Sequence, residues 1–544
     1  MTTTASRPAP PADGSATAPV VHPNRIVAIL AIGGIVVAMT QTLVVPIVAS
    51  LPTIFDAPAS DTSWIITVTL LVGAICTPVS GRLGDLYGKK KMILISLVPL
   101  ALGSAVCAVA TTVPVMVTGR GLQGLATGFI PLGISMLHDL LPKERTAGAI
   151  SLMSSSLGIG GALGLPFAAA VAEFASWRIL FWLIAVCAVV VGVVVWRAIP
   201  APAAPARVRT PFDYVGVLGL AAGLVALLLA VSKGAEWGWA SPLVLGLFGG
   251  SVVVLLAWGW WELRTPAALV DLRTTARPAV LLTNLASIMI GFAMYAQSLI
   301  LPQLMQAPAA TGFGLGQSML QMGLWMAPSG IAMTLMSPVG AQITRARGPK
   351  TTLVLGALVM ALGYGLSTLF MDTLVGLSLT AFVAAAGVGF AYGALPAIIL
   401  GSVPASEKAA ANGFNALMRS IGTSVSAAVI GVVLARMSTT FGEHTLPTEG
   451  GFRVALLLGC GMAVVAAAIA ATVPVKGLRE VAGGHWPAGQ APAVRRTAPS
   501  PAGAARRTVG ACAETSPRCA ASNRPRPTRR SPPPRCSSCA RSRA

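Results

Sequence analysis

The chain has 544 residues, 55% of them hydrophobic and only 10% charged, with a formal net charge of +21 at pH 7. Soluble globular proteins carry charge on about a quarter of their residues, so this composition excludes an ordinary water-soluble domain and makes lipid the solvent. His22, His138, His444 and His485 all lie away from the centres of apolar runs, and no phosphate-binding P-loop is present, which argues against a membrane enzyme or an ATP-driven pump.

In chain order, residues 1–24 are rich in Pro, Ala and Thr and lack an apolar segment ending at a small-residue cleavage site, so a disordered cytoplasmic N-terminus with a retained first span is expected. Apolar runs of roughly 17–25 residues, each able to cross about 30 Å of hydrocarbon as a helix, then recur. They fall at 26–48, 62–80, 92–110, 114–136, 147–171, 179–197, 214–231, 242–261, 279–301, 321–340, 351–370, 374–398, 410–436 and 453–473. Sixteen Lys and Arg residues occupy one set of alternate loops, whereas the other set holds only Arg178, Lys233, Arg436 and Arg453. The positive-inside rule therefore predicts cytoplasmic termini. Cys76, Cys107, Cys187 and Cys460 lie inside spans as small apolar residues, and no disulfide framework is expected. From Val481 onward Pro, Ala, Ser and Arg dominate, with twelve arginines and one acid, Glu514. This composition predicts a disordered tail that associates with anionic lipid rather than nucleic acid. Only Cys536 and Cys539 there have ligand-like spacing, and no zinc site is expected.

The segment GRLGDLYGKKK at 81–91, between spans 2 and 3, is the most informative. Gly81, Gly84 and Gly88 allow close backbone approach and a tight turn, Asp85 suits a helix N-terminus, and Lys89, Lys90 and Lys91 suit anionic lipid headgroups. It closely resembles the loop between spans 2 and 3 of the major facilitator superfamily. That resemblance implies that Asp85, with Gly81, Gly88 and Lys89, belongs to a conformational gate closing the cytoplasmic face against the other bundle.

The segment GRLGDLYGKKKMIL at 81–94 is echoed by GAQITRARGPKTTL at 340–353, and GFIP followed by LPKER at 128–145 by GALP followed by VPASEK at 393–408. These echoes pair spans 2–5 with spans 10–13 and leave spans 7 and 8 as an insertion. The expected organisation is an all-α integral membrane protein: a bundle at 25–197, a linker with two inserted spans at 198–278, a second bundle at 279–475 and a tail at 476–544. This layout resembles the fourteen-span drug:proton antiporter branch of the superfamily. Twelve spans with two interfacial helices is the alternative.

Ionisable residues inside spans are costly and mark function. Arg120, in VTGRGLQGLATG at 117–128, resembles the superfamily's span-4 arginine motif, which implies proton coupling or cavity organisation. A structural arginine bonded to span-1 carbonyls is the alternative reading. Arg419, in span 13, either faces the cavity or snorkels. Span 5 contains Gly158, Gly160, Gly161, Gly164 and Pro166 and resembles the antiporter motif of exporters, although Leu165 separates Gly164 from the proline. The branch usually carries an aspartate in span 1, but MTQTLVVP at 39–46 puts Thr40 there, beside Gln41 and Thr42. No acid occupies a span centre. Asp85, Asp139, Glu144, Glu262, Asp271 and Glu407 fall in loops on one side, and Glu173 and Asp61 fall at outer span ends, where they could face a vestibule. Protons then bind a peripheral acid with Arg120 modulating it, or Arg120 attracts an anionic substrate. Met289, Met294, Tyr295, Gln297, Met322, Trp325 and Met326 on spans 9 and 10 are candidates to line a substrate cavity.

The resulting expectation is a secondary transporter of the bacterial inner membrane, without cofactor or metal and acting as a monomer, that exports amphipathic drug-like or secondary-metabolite compounds by proton antiport. The alternative is a dedicated uniporter, exchanger or importer for one metabolite, an anionic one included.

Overall fold

The computed structural model describes residues 23–44, 47, 50–200, 212–266, 268–441 and 444–474. The expectations for residues 1–22, for linker residues 201–211 and for the tail from 475 onward lie outside these. Fourteen long helical elements make up the described chain. The first seven are α1 (Pro23–Thr42), α2 (Trp64–Tyr87), α3 (Lys89–Val109), α4 (Val113–Gly124 and Phe129–Leu140 joined by the 3-10 turn Leu125–Gly128), α5 (Lys143–Phe174), α6 (Arg178–Ala198) and α7 (Tyr214–Trp237). The rest are α8 (Pro242–Arg264), α9 (Pro278–Gln306), α10 (Met319–Arg347), α11 (Pro349–Ser367), α12 (Leu374–Ser402), α13 (Lys408–Arg436) and α14 (Glu449–Thr472). Among the described residues, 12 helices are long and apolar enough to cross a membrane. The other two elements are the interrupted α4 and α10, which carries Gln321, Arg345 and Arg347 along its 29 residues.

Apolar periodicity assembles two groups of helices. One core joins Leu30 and Val37 of α1 to Ile93 and Leu97 of α3, Phe129 and Leu132 of α4, and Ile184 and Val191 of α6. A larger one joins Ile290 and Ile300 of α9 to Met360 and Tyr364 of α11, Leu377 and Leu395 of α12, and Leu456 of α14. Outward-facing Val186, Val189, Leu358, Leu362 and Leu457 remain exposed, as lipid-facing helices require.

The inserted pair is held separately. Leu220, Leu224 and Leu228 of α7 and Trp258 of α8 form a core with Ala74 of α2 and with Phe414 and Leu417 of α13. α7 thus packs where the two groups meet, while Leu243, Val252, Val253 and Leu256 leave most of α8 facing outward. Both are helices of 24 and 23 residues, so the pair has the length of inserted spans and not of short interfacial helices. A short antiparallel ladder between Ser438–Phe441 (β1) and His444–Pro447 (β2) links α13 to α14.

The two glycine motifs fold alike. α2 stays helical through Gly81, Gly84 and Asp85 to Tyr87, and the chain reverses at Gly88 alone, with φ 99°. α10 likewise runs to Arg347 and breaks at Gly348, with φ 86°. Left-handed backbone at both positions favours glycine. Most of the expected loop is therefore helix, and α3 starts directly at Lys89.

Candidate functional site

Two seams join the halves. At one end of the molecule α2 runs along α13, with Gly81 against the carbonyl of Ala409 and Gly413 against the backbone of Thr77 and Pro78. Small residues allow this approach. Asp85 then reaches the start of α13: its Oδ1 accepts the N–H of Ala409 at 3.2 Å and its Oδ2 the N–H of Ala410 at 2.9 Å. A carboxylate on unsatisfied first-turn amides is favoured both by hydrogen bonding and by the helix dipole. Asn412 adds a bond to the carbonyl of Pro131 at 3.1 Å, and Lys408 Nζ lies 3.3 Å from His138 Nδ1.

Lys89 is not on the lipid-facing surface. It is 7% exposed, pairs with Asp139, and stands 4.0 Å from Asp85. The spacing of three consecutive lysines gives no hint that the first turns inward. Only Lys90, whose Nζ reaches the Trp196 carbonyl at 2.9 Å, and Lys91 remain outside.

The second seam joins α5 and α10. Ser151 Oγ donates to the Ser337 carbonyl at 3.0 Å, Gly158 faces Met333, and Gly323 abuts Pro166. Gly160 and Gly164 belong to the other face of α5, against Ala38, Met39 and Thr42 of α1. Gly160 and Gly164 thus serve a contact within the first group of helices and Gly158 one between groups, while Gly161 meets no neighbour within 4 Å.

Arg120 is 1% exposed and fills the junction of α1, α2 and α4. Its Nη1 donates to the carbonyl of Thr40 at 2.8 Å and to Gln123 Oε1 at 2.7 Å, and its Nε donates to the carbonyl of Ile65 at 3.2 Å. Gln123 in turn donates to Ser104 Oγ at 2.8 Å. Carbonyl oxygens on two other helices therefore hold the guanidinium, and no carboxylate is paired with it among the described residues. Thr40 Oγ1 donates within its own helix to the Val37 carbonyl at 2.6 Å. Gln41 is half-buried.

Arg419 turns inward between the groups. Its guanidinium lies 4.7 Å from the centre of the Tyr392 ring and 3.4 Å from Asn415 Oδ1, and it lines a cavity of about 10 Å³ with Ser154 and Asn412. Gln297 is committed to packing, donating to the Ala381 carbonyl at 3.1 Å. Tyr295, Trp325 and Met326 are half-buried, the last two against the larger core. None of these four lines a described cavity.

Glu173 does line one. At the end of α5, remote in sequence from the Asp85 seam, a cavity of about 500 Å³ is bounded by Ile54, Ala169, Glu173, Trp177, Met319 and Leu320. Asp61 lies outside its lining, in the short helix Ala59–Thr62 ahead of α2. A third cavity, of about 100 Å³, lies where α2, α8, α9 and the start of α13 meet and is lined by Arg82, Glu262, Asp271 and Glu407. Glu262 belongs to the helical last turn of α8 and is 3% exposed, not a loop acid as its sequence context suggests.

Known proteins match this arrangement. The family model described as Major Facilitator Superfamily matches residues 30–426 and 283–507. An uncharacterized MFS-type transporter of Mycobacterium tuberculosis (strain ATCC 25618 / H37Rv) is 29% identical over 420 residues, 76% of this chain. The chain spans 60% of that relative's length. The multidrug transporter protein MdtP of Bacillus subtilis (strain 168) is 24% identical over 71% of each chain. The tetracenomycin C resistance and export protein of Streptomyces glaucescens is 25% identical over 77% of this chain and 78% of its own. Among solved structures, the human organic anion transporter MFSD10 superposes with a TM-score of 0.59 at 15% identity, covering 82% of this chain and 99% of that one, a likeness of fold alone. With the family model spanning both groups of helices, this multi-pass membrane protein belongs to the major facilitator superfamily.

Proposed function

We propose that the chain is a secondary active transporter that exports amphipathic, drug-like or secondary-metabolite compounds in exchange for protons. It works by alternating access between the bundles at 25–197 and 279–475, with α7 and α8 inserted between them in sequence. The observation that carries this reading is the pair of bonds that the Ala409 and Ala410 amides donate to the Asp85 carboxylate, which ties α2 to α13 across the two groups. Sealing one end while a cavity lined by Glu173 lies at the far end of α5 is the geometry an alternating-access carrier needs in one of its states. The family's multidrug and tetracenomycin C export proteins support the direction and the substrate class.

The membrane in this reading is the bacterial inner membrane, with the Asp85 end cytoplasmic by the positive-inside distribution. The partners are a small-molecule substrate, protons and lipid; the protein acts as a monomer and takes no nucleic acid. An anion carrier centred on Arg120 draws no support, because the guanidinium is already bonded to Thr40, Ile65 and Gln123.

Accumulation of fluorescent cationic, neutral and anionic amphiphiles in an efflux-deficient bacterial host tests the proposal. Expression of the chain lowers accumulation of some of them, and a protonophore restores it. Accumulation that rises on expression, or that stays low under the protonophore, contradicts the proposal.

A further inference from the structure

We infer that Glu262, paired with Asp213 at the base of the inserted helices, is a proton-binding site opening on the cavity behind the Asp85 seam; this deepens the proton-coupled reading above and rests on it for its role. The starting observation is an unsatisfied carboxylate. Glu262 is 3% exposed, and neither of its oxygens accepts a hydrogen bond among the described residues. The Leu269 and Val270 amides and the Trp258 indole flank it without closing a bond, and Trp258 Nε1 is itself without a partner. A buried, unbonded carboxylate anion is strongly disfavoured, and the protonated acid removes that penalty.

Asp213 completes the arrangement by taking the opposite role. It caps α7 by accepting the N–H of Gly216 at 2.8 Å, and each of its oxygens lies 3.2 Å from the Trp261 Nε1 donor. The Gly216 and Trp261 donors are thus directed at Asp213, whereas Glu262 lacks them. The two carboxyl groups meet over Gly216, where a Cβ would touch an oxygen of each. Of the two adjacent carboxyls, Glu262 is the one without donors, and it is the one that takes the proton.

The cavity supplies the route. Its volume of about 100 Å³ admits water, and Glu262 lines it together with Arg82 of α2, Asp271 and Arg273 of the linker, and Glu407 ahead of α13. Arg264, two residues on along α8, is drawn away over the Trp260 ring at 4.1 Å. Ala410 forms part of the same wall, and its N–H is a donor to Asp85. A proton leaving or entering Glu262 therefore changes the charge of a cavity whose wall includes the gate helix. No acid occupies the α1 position at Thr40, so the pair gives the chain a protonatable carboxyl in a different helix.

Infrared difference spectra of the full chain in proteoliposomes, titrated with pH, read the site directly. The unmodified chain gives a carboxylic C=O band that disappears on alkalinisation and is missing in Glu262→Gln. Asp213→Asn keeps a capping residue and removes the neighbouring charge, so the band survives with its midpoint about one pH unit lower, a tenfold weaker hold on the proton. Absence of the band in the unmodified chain, or its persistence in Glu262→Gln, overturns the site. In vesicles, protons released per substrate transported fall at least tenfold in Glu262→Gln; an unchanged ratio overturns the coupling role. Substrate movement without proton release in the unmodified chain, with the band still lost in Glu262→Gln, contradicts antiport and upholds the site.

Discussion

The Asp85 carboxylate sits 2.9 Å from the amide nitrogen of Ala410, joining residues 325 positions apart at the first turn of α13. An acid on α2 and a helix start in the other half are thus one electrostatic unit, and its partner groups are backbone amides, which among side-chain substitutions on α13 only proline removes.

Replacing Asp85 by Asn keeps the shape and removes the charge. Hydrogen bonds to charged groups are worth about 1.5–3 kcal/mol, so the closed state loses roughly ten- to hundredfold in population. Transport falls while expression is retained, and spin-label distances between the adjacent ends of α2 and α13 broaden toward longer values. Unchanged distances with normal transport remove Asp85 from the gate.

Close approach at the same seam gives a steric prediction. A Cβ on Gly413 would stand 2.8 Å from the Thr77 carbonyl, and one on Gly81 would strike the carbonyl of Ala409, whereas nothing lies within 4 Å of Gly148. Gly81→Ala and Gly413→Ala each lower the transport rate at least tenfold, and Gly148→Ala, in a helix that gains from alanine, leaves it intact. Equal rates in all three variants mean that the seam is not a moving contact.

Arg120 orders α1, α2 and α4 through directional bonds. Lysine offers charge but not the fork, so Arg120→Lys fails along with Arg120→Ala. Leaving buried carbonyls unsatisfied costs about 1–3 kcal/mol for each group. Both variants lower the thermal midpoint in detergent, with loss of activity following loss of fold. Full stability with lost transport would assign Arg120 to transport chemistry instead of packing.

Glu173 faces a cavity wide enough for a solvated ligand. Its exposed carboxylate attracts a cation by about 1 kcal/mol at contact in water. Glu173→Gln therefore weakens transport of cationic amphiphiles several-fold and leaves neutral ones unaffected. Equal loss for both classes contradicts an electrostatic role.

The helices were legible because lipid imposes one rule on every span: backbone bonds close internally and side chains are apolar. The same rule made α10 legible despite its Gln and Arg residues, since its motif repeats that of α2 with Gly348 in place of Gly88. The partners of charged residues were not legible. Arg120 is satisfied by carbonyls, which every sequence has, and Lys89 turns inward to Asp139, 50 positions away. Glu262 looked like a loop acid because Arg264 and Thr265 follow it, but α8 continues past it, and Thr265, Pro266 and residues 268–271 line the same cavity. Burial of that kind depends on how the inserted pair docks against α2 and α13, a tertiary fact that local composition does not encode.

Proton-coupled export is the central claim, and everted membrane vesicles test it most directly. Vesicles containing the unmodified chain are energised by respiration until their lumen is acidic, and external pH is followed as amphiphiles are added. The account predicts that a transported amphiphile enters the lumen and releases protons from it, in a ratio that a protonophore abolishes. Uptake of the same compound with no proton release would contradict it.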